Sequence, residues 1–274
     1  MRKILKPLML VCVTASIFVA CKKEAKETEP AQEEVSAAVK AQIKNLGFNT
    51  DGVQKIDEGY LVEGDIILTP ENLANASSSP ELIIANEEHY RTTNTVNVTS
   101  YPTIRVAVSS SSSSHTSVFT AALDEAIRRY NAEGLRIRFQ RVTSSPNITI
   151  NAYYQVSNTL GSAGFPTNSG APYNQIQMNT YHYSTSTGST NVNYIATIMA
   201  HEMGHCIGFR HTDYMNRAYS CGGSTYNEGS AGVGAIHIPG TPTGPSASSW
   251  MLACSNGGNR PFTSADRTAL NYLY

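Results

Sequence analysis

One short stretch of this chain constrains its fold more than any other. Residues 201–211 read HEMGHCIGFRH, and just before them Val192, Ile195, Ile198 and Met199 recur at helical spacing. The pattern predicts an α-helix with one buried face and one face turned to a cleft. Such a helix needs a sizeable core around it, and 274 residues suffice for one well-buried domain plus a smaller N-terminal piece.

The spacing of polar residues within this stretch is typical of a metal site. His201 and His205 are four residues apart, so both project from nearly the same direction of the helix. Gly208 tolerates positive φ, which ends the helix and turns His211 back toward the same ion. Three imidazole ligands leave one position for water, as in a catalytic Zn²⁺ site. Glu202, about 100° round the helix, is placed to take that water's proton.

The stretch matches the metzincin pattern HExxHxxGxxH and most resembles the astacin-like and bacterial HEIGH-type (myroilysin-like) peptidases. The resemblance implies a zinc endopeptidase that hydrolyses peptide bonds through a zinc-bound water, with proteins or peptides as substrates. The implied fold is α+β, a metzincin-type zincin with a twisted mixed sheet and the active-site helix over a loop-rich lower subdomain. The similarity in architecture covers residues 101–274, and only residues 201–211 match specifically.

A second motif lies 40 residues after His211, where Ser249-Trp250-Met251 resembles the Met-turn that forms an apolar floor below the metal. Astacins place a tyrosine two residues after this methionine, but this chain has Ala253, which excludes a tyrosine ligand from that position. The group that stabilises the oxyanion is left open between Tyr214 and a backbone N–H. Asp213 either anchors a histidine or the new N-terminus, or caps a turn.

The N-terminal part contains a possible inhibitory ligand. Val62-Glu-Gly-Asp65 resembles the FxGD pattern of astacin pro-segments, with Val62 in place of Phe. The resemblance implies that Asp65 occupies the open metal position and keeps a zymogen latent; the alternative is a simple Gly-Asp turn between strands. Residues 22–100 are accordingly predicted to be tether and inhibitory pro-segment, and residues 101–274 to be the catalytic domain.

Apolar periodicity supplies a coarse secondary structure. Residues 59–68 alternate like one strand, and residues 69–100 suit an exposed connector that a protease could cut. Further strands, a helix of about 16 residues that ends before Gly134, and a C-terminal helix follow. The later strands are predicted at 103–109, 135–142, 148–153 and 175–183. The last of these is a candidate edge strand. The tyrosines at 153, 154, 181 and 183 are expected to face the cleft edge, where an extended substrate pairs by strand addition; the alternative is that they are ordinary sheet residues.

The first 21 residues, MRKILKPLMLVCVTASIFVAC, have the pattern of a signal peptide that ends in Cys21. Their apolar run is short for a membrane span. Phe18-Val-Ala-Cys21 resembles the bacterial lipobox, which implies a lipidated Cys21 and a lipid anchor at the membrane surface. The chain is then an exported outer-membrane or cell-surface lipoprotein, and release of the mature enzyme from the anchor is left open. An ordinary secretion signal is the alternative.

Three cysteines remain in the exported part, so one disulfide and one free thiol are expected. The three are Cys206, Cys221 and Cys254, and their pairing is open. On the helix Cys206 points away from the metal, so burial or a disulfide is predicted for it. The other histidines have no spacing typical of a site and are predicted to be structural: His89, His115, His182 and His237.

Composition excludes one class of partner and leaves two other functions open. Charged residues make up 15% of the chain and the net charge is −1, which gives no electrostatic basis for binding nucleic acid. A surface-anchored binding lipoprotein with a structural zinc would use the same three histidines. So would a zinc hydrolase that acts on an ester or a glycan cross-link.

Overall fold

The computed structural model describes residues 34–74, 89–109, 114–223, 227, 234–242 and 244–274. The predicted signal peptide, the predicted lipidation site Cys21 and the beginning of the predicted tether lie outside the described residues. Among the residues described, no helix has the length and apolar character needed to cross a membrane.

The described residues combine helices with a mixed sheet, which confirms the predicted α+β class. The helices are α1 (Ala37–Asn45), α2 (Pro70–Ala74), α3 (Thr116–Ala132), α4 (Ser189–Cys206), α5 (Ala218–Cys221) and α6 (Ser264–Leu273). The strands are β1 (Gln54–Ile56), β2 (Gly59–Val62), β3 (Ile66–Leu68), β4 (Tyr90–Arg91), β5 (Thr103–Val108), β6 (Arg138–Arg141), β7 (Ile148–Tyr153), β8 (Gly161–Ala163), β9 (Gln175–Asn179) and β10 (Ile236–His237). A 3₁₀ turn at Thr180–His182 follows β9.

The main sheet has eight strands in the order β1-β2-β3-β8-β9-β7-β5-β6. Strands β9, β7, β5 and β6 run parallel to one another. Neighbouring parallel strands require a crossover, and α3 supplies the one between β5 and β6. The sheet, α3 and α4 share one core that includes Phe119, Tyr130, Ile150, Met178 and Met199. This core fixes the position of α4 and of the histidines on it.

The outer edge of the catalytic part differs from the prediction. The predicted edge strand at 175–183 is wrong, because β9 lies between β7 and β8. The outer strand is β8, antiparallel to β9, in a stretch of small residues that has no alternating pattern to reveal it. Tyr183 is also buried, and its hydroxyl donates to the Leu160 carbonyl over 2.9 Å instead of facing the cleft.

Residues 59–68 form a hairpin and not one strand. Strands β2 and β3 are antiparallel, and the chain reverses at Glu63 and Gly64, whose φ angles are 57° and 92°. Strand β3 then pairs parallel to β8, with Ile66 opposite Ala163. The N-terminal piece therefore extends the catalytic sheet. It also forms a small core of its own with Ile43, Leu46, Phe48, Val62, Ile66, Leu68, Leu73 and Phe165.

Residues 89–98 pack into the body of the protein, so the exposed connector predicted for 69–100 is wrong there. Strand β4 pairs with β10, and Arg91 also bridges Phe209. Tyr90 is fully buried, and the Val96 N–H donates to the Tyr274 hydroxyl over 3.1 Å. A two-residue strand has no periodicity, so its pairing depends on distant partners that a local pattern does not contain.

The loop-rich C-terminal part is fastened by one disulfide. Cys221 and Cys254 are bonded, with their Cα atoms 5.1 Å apart. Cys206 is a buried free thiol on α4, and burial raises its pKa well above the usual value. The pairing that the sequence left open is therefore Cys221 with Cys254, and Cys206 belongs to the core.

Candidate metal centre

Helix α4 places two of the predicted ligands in the protein interior. His201 and His205 are 7% and 0% exposed. Their helix is tied to α3, because the Tyr130 hydroxyl donates to the Ala200 carbonyl over 2.7 Å. Their spacing of four residues brings the two Nε2 atoms to within 3.1 Å of each other.

The third histidine reaches the same point through a turn at Gly208. Helix α4 ends at Cys206, and Gly208 has a φ of 106°. A Cβ at Gly208 would lie 2.9 Å from the carbonyl oxygen of Asn94, so both the conformation and the packing require glycine. The turn directs His211 back beneath the helix, which confirms the predicted role of Gly208.

The structure gathers the three histidines around Asp65. The ligand atoms of Asp65, His201, His205 and His211 all lie within 4.8 Å of one another. Oδ2 of Asp65 is 3.0 Å from Nε2 of His211 and 3.7 Å from Nε2 of His201. The residue that the pro-segment resemblance singled out thus lies at the histidine cluster, although it comes from the N-terminal hairpin.

The hydrogen bonds of the rings fit a cation at this point. Nδ1 of His201 lies 2.8 Å from the Trp250 carbonyl, and Nδ1 of His205 lies 2.8 Å from the Phe209 carbonyl. A carbonyl only accepts, so each Nδ1 carries the proton and each Nε2 keeps a lone pair. Burial, then the proximity of the other two titratable rings, His201 and His211, lowers the pKa of His205 well below its usual value. Adjacent lone pairs repel unless a cation lies between them, and imidazole with carboxylate is a donor set that suits Zn²⁺.

The surroundings shift the pKa values of the two carboxyl groups of the site in opposite directions. Burial would raise the pKa of Asp65, but the charge of His211, hydrogen bonds with His201 and His211, and the charge of Arg217 hold it well below its usual value. Burial raises the pKa of Glu202, and the charge of Asp65 raises it further against the opposing effect of His211. The surroundings therefore favour the charged form of Asp65 more than that of Glu202.

Glu202 follows His201 on α4 and lies next to strand β8. It is 2% exposed, and its Oε2 atom is buried without a hydrogen-bond partner among the described residues. Strand β8 packs directly on it, because a Cβ at Gly161 would lie 2.9 Å from Oε1 of Glu202. The carboxyl group thus lies next to β8 and lines the same cavity as His201.

Met251 lies under α4, where the resemblance places a Met-turn. Its side chain is fully buried, and a Cβ at Gly204 would lie 2.5 Å from its Sδ atom. The carbonyl of Met251 accepts from the Thr212 N–H over 2.9 Å. The Met251 loop therefore contacts both the helix and the segment that follows the third histidine.

A buried network below this loop was missed by the sequence analysis. His89 Nε2 lies 2.6 Å from Oδ1 of Asp266, and the Ser249 hydroxyl donates to the same oxygen over 2.8 Å. Asp266 also forms a capping box with Thr263 at the start of α6. The Thr-x-x-Asp spacing was a signal for that cap, whereas nothing near His89 indicated a partner 177 residues away.

The loop after His211 contains Asp213 and Tyr214, whose roles the sequence left open. Asp213 accepts from the Ala253 N–H over 2.9 Å and from the Ser220 hydroxyl over 2.5 Å. It thus joins the loop to the segment after Met251 and does not hold a histidine. The Tyr214 ring packs on Tyr90, with centroids 4.2 Å apart, and lies outside the cavity wall.

A cavity of about 410 Å³ opens beside the histidines. Glu63, Gly64 and Asp65 form part of its wall, together with His201, Glu202 and Arg217. Opposite them are the helical residues Tyr194, Thr197 and Ile198 and a segment after the Met251 loop that includes Leu252 and Arg260. The cavity therefore has both apolar and charged side chains in its wall and lies next to Glu202, the candidate general base.

Comparison with known proteins agrees with this geometry. The family model described as "Dual-action HEIGH metallo-peptidase" matches residues 60–274, a range that includes the hairpin carrying Asp65 as well as the histidine motif. No curated protein matches the chain. Because the matched range covers most of the sequence, the chain belongs to the dual-action HEIGH metallo-peptidase family and is a zinc metallopeptidase.

Proposed function

We propose that this protein is an exported zinc endopeptidase made as a latent zymogen, in which His201, His205 and His211 hold the metal and Asp65 blocks it. One observation carries the proposal: the Asp65 carboxylate lies 3.0 Å from Nε2 of His211, at the open side of the three-histidine cluster. A peptidase needs that position for water and for the scissile carbonyl.

Each group of the chain then has a distinct task. Zinc, when bound, acts as a Lewis acid and lowers the pKa of a water molecule. Glu202 accepts the proton and passes it to the leaving amine, because its buried carboxyl lies beside the metal position and lines the cavity. The Trp250 and Phe209 carbonyls hold His201 and His205 with Nε2 toward the metal. Met251 supports α4 from below.

Latency follows from the way the hairpin occupies the cleft. The Ala163 N–H donates to the Asp65 carbonyl over 2.9 Å, so β3 takes the edge of β8 that an extended substrate would use. Arg217 donates from NH2 to the Glu63 carbonyl over 2.8 Å. These contacts hold the Asp65 carboxylate at the histidines and exclude substrate from the same surface.

Further contacts outside the cleft hold the pro-segment. The Arg210 guanidinium lies over the Phe48 ring, 4.7 Å from its centroid. Phe165, which follows β8, belongs to the small core of the N-terminal piece. Activation therefore requires a cut in the chain and loss of these contacts. We place the cut N-terminal to His89 and not near residue 100, because Tyr90 and Val96 are buried in the catalytic body.

Export and anchoring complete the proposal. The signal-peptide pattern of residues 1–21 and the lipobox-like sequence before Cys21 support an outer-membrane or cell-surface lipoprotein. The charged stretch from residue 22 onward then serves as the tether. Metabolic labelling with a fatty acid, compared between the natural chain and Cys21→Ala, tests this part: labelling that persists in the variant would refute lipidation at Cys21.

The central test compares hydrolysis of casein by the zinc-loaded full chain and by Asp65→Ala. Loss of the blocking carboxylate is expected to raise the rate at least tenfold, since charge-assisted contacts of this kind stabilise a complex by about 1.5–3 kcal/mol. Asp57→Ala is the matched control, because Asp57 is an exposed carboxylate of the same N-terminal piece. Glu202→Gln in the Asp65→Ala background and a chelator are both expected to abolish hydrolysis.

Three results separate the parts of the proposal. Equal rates for the natural chain and Asp65→Ala would refute blockage by Asp65. Hydrolysis that survives Glu202→Gln would refute the role of the general base. Folded, zinc-loaded Asp65→Ala that hydrolyses no protein would refute the endopeptidase.

A further inference from the structure

Arg260 is a buried cation in the wall of the cavity that lacks a counter-ion. It is 8% exposed and lines the same cavity as Glu202. Its Nη1 group donates to the Cys254 carbonyl over 3.1 Å, while its Nε atom is buried and has no partner among the described residues. Among the described residues no carboxylate lies within ion-pair distance of it. A buried guanidinium without an opposite charge is costly unless something else supplies one.

The carboxyl group whose charge acts on Arg260 already accepts hydrogen bonds from other groups. Burial lowers the pKa of Arg260, and the charge of Asp213 opposes that effect. Both oxygens of Asp213, however, accept hydrogen bonds from Ala253 and Ser220. Asp213 therefore acts on Arg260 from beyond ion-pair distance. The Nη2 group of Arg260, which has no hydrogen-bond partner among the described residues, remains available to a molecule in the cavity.

The backbone of Arg260 is fixed to α4 at Thr197, about one turn before His201 and Glu202. Its N–H donates to the Thr197 hydroxyl over 3.0 Å. Arg129 donates to the same hydroxyl over 3.0 Å and to the Asn259 side chain over 2.9 Å. Thr197 precedes His201 by four residues, which is slightly more than one helical turn or about 6 Å along the axis. Arg260 is therefore held rigidly about one turn from the metal position.

The role of Glu202 determines which side of the scissile bond faces the cavity. Glu202 passes its proton to the leaving amine, so the substrate residue that bears this amine lies beside Glu202. Ile198 is on the same face of α4, four residues earlier, and lines the cavity with Arg260. The side chain of that substrate residue therefore enters the cavity that Arg260 lines.

We propose that Arg260 binds a substrate carboxylate at the residue immediately after the scissile bond and so determines the specificity of cleavage. This inference rests on the proposed endopeptidase function. The carboxylate belongs to an aspartate or glutamate side chain within a protein, or to the free C-terminus when that residue is the last one. Both sources offer the planar oxygens that a guanidinium binds with two donors.

The test maps cleavage sites in a peptide library with the zinc-loaded full chain carrying Asp65→Ala. Aspartate and glutamate are expected to be enriched at the first position after the cut, and matched peptides with Asp or Asn there should differ about ten- to a hundredfold in kcat/KM. In Arg260→Gln this ratio should fall to near one. Arg260→Glu should instead favour lysine and arginine, and Arg260→Lys should keep part of the preference.

Controls make the ratio of kcat/KM between the Asp and Asn peptides independent of the overall activity of each variant. Each variant is compared only with itself on paired peptides, after its folding and zinc content are measured. Arg141→Gln, which removes an exposed arginine paired with Asp124, should leave the ratio unchanged. Peptides that end one residue after the cut, as free acid or amide, separate the two sources: a preference for the acid that Arg260→Gln removes supports the site through the terminal carboxylate.

Two outcomes overturn the inference. Cleavage with no preference for a carboxylate, or a preference that Arg260→Gln retains, would refute the role of Arg260 and leave the endopeptidase intact. Absence of all cleavage by the Asp65→Ala chain would instead refute the proposed function, and the inference with it.

Discussion

Replacing Gly161 by alanine tests whether strand β8 positions Glu202, the proposed general base. The new Cβ would lie 2.9 Å from Oε1 of Glu202 and 3.2 Å from the Gln177 carbonyl, both shorter than the ordinary contact distance of 3.4 Å. The Gln177 carbonyl belongs to β9, which neighbouring strands hold on both sides. The Glu202 side chain must therefore yield by about half an ångström.

The magnitude follows from that displacement. A misplacement of about 1 Å costs on the order of a hundredfold in rate, so half of it should lower kcat about tenfold, or about 1.4 kcal/mol in the barrier. The crowding itself should reduce the free energy of unfolding by only about 1 kcal/mol. The affinity for zinc should not change, because the three histidines do not contact Gly161.

The assay measures kcat on a protein substrate, zinc affinity and thermal unfolding for Gly161→Ala in the Asp65→Ala chain. Gly188→Ala is the matched control, because Gly188 has a φ of −61° and its added Cβ would meet nothing closer than 3.4 Å. A kcat equal to that of the control would show that β8 does not position Glu202. A parallel loss of zinc affinity would show that the substitution distorts the metal site instead.

Three further predictions concern stability. Reducing the Cys221–Cys254 disulfide, which joins residues 33 apart, should lower the free energy of unfolding by about 4 kcal/mol; chemical denaturation that shows no change would contradict this. Removing zinc from the natural chain should lower the melting temperature, because adjacent buried lone pairs lose the cation between them; an unchanged melting temperature would argue against a resident metal. Hydrogen bonds from Arg128, against the cost of burial and with help from Arg129, lower the pKa of Glu125 to about 2. The stability from this ion pair is present above the unfolded pKa of about 4.3 and is lost as pH falls toward 2. Glu125→Gln should therefore have a lower free energy of unfolding than the natural chain at neutral pH, and the two values should become equal near pH 2 in chemical denaturation.

The metal-binding residues were predictable because local geometry determines them. A spacing of four residues brings His201 and His205 together on any helix, and Gly208 provides the turn that returns His211. Asp65 was accessible only through the pro-segment resemblance, since the alternation of residues 59–68 continues on both sides of the turn and hides the hairpin.

The features that the sequence did not predict depend on contacts between distant segments of the chain. Strand β8 consists of three small residues and is defined by its neighbours β9 and β3, so it has no pattern of its own. His89 meets Asp266 across 177 residues, and no local period reports such a pair. The choice of Cys254 as the partner of Cys221 likewise depends on where the C-terminal loops lie.

One segment of the chain links the metal site to the proposed specificity site. The Trp250 carbonyl orients His201, and ten residues later the Arg260 N–H is fixed to Thr197, one turn earlier on the same helix. The segment is therefore attached to α4 at both ends and crosses the cavity wall between them. Because its middle is held by the Cys254 disulfide and by Asp213, a shift of this segment would move the histidine and the arginine together. Substitutions within it should therefore change zinc affinity and substrate preference in the same variants.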